Sequence, residues 1–153
     1  MIERAQAHLH IDFSTEHGQP AVGRLIVATV ASIVGSLVAD AIVVAVGEAV
    51  FPSTKGYPHF QFGDYAKLTI IGVVLACVAW PIVTRVSSSP RWSFFRLAII
   101  VTLVLWLPHL YILHQGQALD AVAVLMTMHV IIAIVTYNLL VRLAPIRSRS
   151  QSS

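Results

Sequence analysis

Three residues whose side chains could carry chemistry stand inside long apolar runs: Asp40, His109 and His129. An ionisable group at membrane depth normally faces the interior of a helix bundle, pairs with something, and often marks an ion or proton route. Ser36 and Trp106 accompany them. Ser36 lies one helical turn before Asp40, in a repeat of small and polar residues, Ala28, Ser32, Ser36 and Asp40, spaced four apart. Positions four apart stack on one side of a helix. Trp106 shares a face with Thr102 and His109, and Met126, His129, Ala133 and Thr136 share another. The reading is therefore a polar seam of Asp40, His109, His129, Ser36 and Trp106, with an Asp40–His109 contact and His129 somewhat deeper. Such a seam fits a hydrogen-bond network that fixes helix register, a protonatable site for transport or sensing, or a metal held by two imidazoles and a carboxylate. The metal alternative has no local spacing motif behind it, so no metal ligand is assigned and no cofactor is expected.

No catalytic residue is assigned. Gly-x-Ser-x-Gly, phosphate-loop and His-Glu-x-x-His patterns are all missing. Asp120 opens the last apolar run, where an acid suits the positive end of a helix. His8 and His10, near Asp12 and His17, read as a solvated tail. Cys77 has no second cysteine to pair with and reads as a small packing residue.

The elements that must position the seam follow from composition. Of 153 residues, 57% are hydrophobic and 11% charged. A soluble domain carries about 25% charged residues, so much of this surface faces lipid. Crossing the hydrocarbon takes roughly 20 apolar residues as a helix. Four stretches qualify: Leu25 to Val50, Leu68 to Val86, Phe94 to Leu113, and Leu119 to Val141. The expected fold is an all-α, integral membrane four-helix bundle over residues 23–143. A segment of residues 1–22 precedes it, too polar to be a secretory signal, and a basic tail of residues 144–153, read as disordered, follows.

Arg4, Arg24, Arg85, Arg91, Arg96, Arg142, Arg147 and Arg149 gather at one end of the spans, with Lys55 and Lys67 at the other. By the positive-inside rule both termini face the cytoplasm of a plasma membrane. The same placement makes these residues topology signals, and no nucleic-acid partner is expected. The aromatic loop from Phe51 to Ala66 reads as an interfacial belt. Small residues suggest how helices meet: Gly72, Ala76 and Ala79 of the second span against the Ser36 face of the first, with Gly35 and Ala39 beside that face. The four helices either close a bundle alone or form a homo-oligomer, pairing into a dimer through Gly35 and Ala39. Pro81 and Pro108 each remove a backbone donor inside a span.

The stretch Trp106 to His109 (Trp-Leu-Pro-His) and the stretch Leu125 to Val130 (Leu-Met-Thr-Met-His-Val) resemble a family of small bacterial four-helix membrane proteins catalogued as a domain of unknown function. The resemblance runs from Gly23 to Leu143. It implies that Pro108 with His109, and Met128 with His129, are family features, and it implies no activity. Taken together, the sequence points to a membrane protein without catalysis, embedded in the lipid bilayer, acting as a partner or accessory subunit of a membrane assembly. The alternative is a small proton-coupled transporter or sensor using the Asp/His cluster.

Overall fold

The computed structural model describes residues 17–148. Four helices carry the chain: α1 (Val22–Val50), α2 (Phe62–Val86), α3 (Pro90–His114) and α4 (Leu119–Leu143), each long and apolar enough to cross a membrane. They are the four apolar runs extended by a few residues at most ends. Pro52 closes α1 by opening a short 3-10 turn, Pro52–Thr54. Pro90 opens α3 at its first turn, where the missing N–H costs nothing. The link between α3 and α4 is a tight turn through Gly116, whose φ of 89° suits glycine. Pro81 and Pro108 lie within continuous helices. Beside the bundle, His17–Gly18 pairs antiparallel with Arg147–Ser148. Both ends of the described chain therefore meet at one end of the bundle, called here the termini end. The remaining terminal residues, with His8, His10 and Asp12, lie outside the described residues.

The helices do not share the interior equally. The α1–α4 pair is the most extensive, α3 rests mainly on α4, and α2 packs on α1. Helix α3 is peripheral: only Pro90 and Phe94, at its start, are buried. Large apolar side chains such as Val34, Val38, Ile71, Leu75, Leu103 and Leu107 point outward. An outward apolar surface this continuous suits lipid and would be untenable in water.

Two clusters fill the interior. At the termini end Trp80 packs against Phe94, ring centroids 5.1 Å apart, and donates its indole N–H to the Ala144 carbonyl at 2.9 Å. That bond satisfies a carbonyl at the end of α4, which has no partner within its own helix. At the opposite end, the loop end, Phe60 and Tyr65 are buried against Ala121, Leu125 and Met128. The aromatic loop is thus more than an interfacial belt. Phe60 and Tyr65 cap the bundle, while Phe62 remains outside.

Small residues set the α1–α4 contact. A Cβ on Gly47 would sit 2.7 Å from Val124 Cγ2, and one on Gly35 would sit 3.2 Å from Val135 Cγ1. Gly35 therefore packs against α4 within the chain. Gly72 is exposed with open space around it, so it does not meet α1. Ala76 and Ala79 do border the core around Ala28.

Candidate functional site

The repeat of four on α1 turns inward as a single stripe. Ala28, Ser32, Ser36 and Asp40 are all fully buried. The stripe faces two helices at once. Thr69 of α2 donates its hydroxyl to Asp40 Oδ2 at 2.6 Å. Ser36 meets Thr136 of α4, the two hydroxyl oxygens 3.4 Å apart. Among the described residues, two buried oxygens have no hydrogen-bond partner, Asp40 Oδ1 and Ser32 Oγ. No ion pair forms among the described residues, and none of their cationic side chains lies beside Asp40.

The histidines assemble elsewhere, between α3 and α4. Their ring centroids are 4.7 Å apart with planes at 70°. The reason lies in helix geometry. Side chains lean toward the N-terminus of their own helix, and α3 and α4 run in opposite directions. Each ring thus leans toward the other along the shared axis. His109 Nδ1 lies 2.7 Å from the Leu105 carbonyl, and His129 Nδ1 lies 2.9 Å from the Leu125 carbonyl. A carbonyl only accepts, so both Nδ1 atoms carry hydrogen and donate. One turn away, Trp106 donates its indole N–H across to the Met126 carbonyl at 3.3 Å. Thr102 spends its hydroxyl on its own helix, at the Ala98 carbonyl.

The expected single seam is therefore two sites. Asp40 and Ser36 belong to the junction of α1 with α2 and α4; His109, His129 and Trp106 belong to the junction of α3 with α4. The Asp40–His109 contact does not form, because α1 and α3 lie on opposite flanks of the bundle, scarcely touching. The depth order also differs from expectation. The contacts of Ser36 with Thr136 and of Gly47 with Val124 set Asp40 roughly level with Ile132, which leaves His129 about one turn nearer the loop end.

Sequence reasoning missed Thr69, although a signal for it was present. Tyr65, Thr69, Val73, Cys77, Trp80 and Thr84 form a buried stripe on α2 at helical spacing, and Thr69 is the hydroxyl on that stripe at the level of Asp40. Asp120 also gains a partner at the loop end, accepting from the Ser53 hydroxyl at 3.3 Å. Among the described residues, no three of His, Cys, Asp and Glu stand close enough to share a metal ion.

Four lipid-suited helices around one buried acid define the chain as a multi-pass membrane protein of the four-helix class. It belongs to the family of unknown function DUF6069, whose profile matches residues 16–145. Neither a curated protein nor a solved structure matches it.

Proposed function

We propose that the chain is a small proton-coupled membrane transporter or sensor in which the Asp40 carboxyl is the exchanging group. The observation that carries this reading is the environment of Asp40: fully buried, one oxygen held by Thr69, the other unpartnered, with no cation in contact. A carboxylate so placed must be neutralised, by a proton or by a small cation, because an isolated charge in a low-dielectric interior is very costly. Ser32, Ser36 and Thr136 extend the polar path from Asp40 toward the termini end. The basic residues clustered at that end favour a cytoplasmic placement of both termini in a bacterial plasma membrane.

Infrared difference spectra of the protein in lipid vesicles test this directly. Cycling the external pH is expected to produce a carboxyl C=O band that Asp40→Asn removes. A spectrum identical in wild type and Asp40→Asn would sink the proposal.

One observation favours a second reading, that of a partner or accessory subunit. Helix α3 lies on the flank of the bundle with its apolar length uncovered, where a helix of another membrane protein could pack. Extraction in mild detergents followed by affinity capture should then recover a second membrane protein in fixed ratio. Recovery of the isolated chain in every detergent would count against it.

A further inference from the structure

We propose that His109 and His129 form a binding site for a monovalent copper ion, with the thioether of Met126 as third ligand. The histidine pair is separate from Asp40. Each of its two imidazoles donates Nδ1–H to the carbonyl four residues earlier on its own helix. That leaves the lone pair of each Nε2 free, and neither Nε2 has a partner among the described residues. Donation of the distal N–H to a backbone carbonyl is how metal-binding histidines are usually oriented.

The surroundings make free lone pairs expensive. His129 lies about 15 Å along α4 from its start at Leu119, at 1.5 Å per residue, well inside the apolar span. Lipid tails offer no donor there, and the nearby indole of Trp106 is already committed to the Met126 carbonyl. A bound cation resolves both vacant acceptors at once.

The spacing suits one ion. With metal–nitrogen bonds of about 2.0–2.1 Å, ring centres of two tetrahedral ligands would stand about 5.2 Å apart. The observed separation of 4.7 Å is close to that. The choice of ion follows from charge and softness. No carboxylate among the described residues completes a metal-holding group with either ring, so a divalent ion would bring two uncompensated charges into the membrane, and a monovalent ion only one. Met126 lies three residues before His129, on the same side of α4, and its carbonyl already touches α3 through Trp106. A thioether beside imidazoles selects Cu(I) among first-row ions.

Full-length protein in lipid nanodiscs, titrated anaerobically with Cu(I) against a chromogenic chelator, should bind one ion per chain. X-ray absorption at the copper edge should show two nitrogen neighbours and one sulfur. Removing either imidazole, as His109→Ala or His129→Ala, should weaken binding at least about 100-fold, since even losing a group that merely orients a ligand costs about 10–100-fold. His109→Gln preserves bulk and hydrogen bonding and should weaken it equally, which separates ligand loss from misfolding. Changing His8, His10 and His17 together to Ala should leave binding unchanged. Undiminished Cu(I) affinity in a His109→Gln/His129→Gln variant, a copper shell without sulfur, or Zn2+ bound as tightly as Cu(I) would each overturn the assignment.

Discussion

Asp40→Asn is expected to make the bundle more stable, by about 1–3 kcal/mol, while abolishing any proton-linked activity. Removing an uncompensated buried charge in favour of a neutral group of the same shape commonly stabilises a protein. Here the native arrangement is costly on its face, because Asp40 Oδ1 is buried without a partner. Asparagine keeps an oxygen for Thr69 and adds N–H donors that can reach backbone carbonyls. Even the loss of that oxygen would not strand Thr69. A helical threonine can turn its hydroxyl to the carbonyl four residues back, as Thr29, Thr102 and Thr127 do in this chain. Unfolding by titrated denaturing detergent in bicelles measures the change, and helical content checks that the fold persists. A loss of more than about 1 kcal/mol, set against the roughly 0.6 kcal/mol that interhelical hydrogen bonds in membranes average, would make Asp40 a register-fixing residue. The proton-exchange reading would then lose its main support. A gain would mean that the native acid is kept at the expense of stability, the pattern expected of functional groups.

The same residue marks how far the sequence could be read. Four spans were legible because each is a long, mostly apolar run, which in lipid satisfies its backbone polar groups within itself as a helix. The inward stripe of α1 was legible because small and polar residues recur every four positions among Leu, Ile and Val. Its partners were less so. Ser36 meets Thr136, which the sequence had placed on an inward face, yet Asp40 meets Thr69 and neither histidine. The physical reason is that counting residues gives a position along one helix, whereas the relative slide of two helices and their order around the bundle axis depend on packing between them. Asp40 lies level with Ile132 and His109 nearer the loop end, and α1 and α3 occupy opposite flanks. The pairing of His109 with His129 needed two facts together: antiparallel neighbours joined by a short turn, which the sequence contains, and rings that lean toward each other, which follows from helix geometry once the two faces are matched. Gly35 shows a related limit, since its packing against α4 could not be chosen from the sequence. A small residue announces a close helix approach, but it does not say whether the neighbour is α4 or a second copy.

Gly47→Ala should cost about 1–3 kcal/mol, the range for forcing an extra methyl into a packed interior, and should do so through one side chain. The new Cβ would stand 2.7 Å from Val124 Cγ2 and 3.0 Å from Cγ1. Val124 is β-branched and in a helix holds one χ1 rotamer, so it cannot swing aside; α1 and α4 must separate instead. Their separation would loosen the loop end, where Val124 packs beneath Phe60 and Tyr65, and would reach Asp40 two turns deeper. The other helical glycines supply internal controls. Gly35→Ala meets Val135 Cγ1 at 3.2 Å and the flexible end of Leu139 at 3.4 Å, so a smaller cost is expected. Gly72→Ala meets nothing within 4 Å and should be neutral or stabilising by up to about 1 kcal/mol from helix propensity. Shortening the obstacle should rescue the first variant. In a double-mutant cycle, Gly47→Ala with Val124→Ala should show a favourable coupling of at least about 1 kcal/mol, as residues in direct contact do. Equal stabilities for Gly47→Ala and Gly72→Ala would mean that α1 and α4 do not meet in this register. Asp40 would then stand at a different level from Ile132, and its separation from the histidine pair would have to be redrawn.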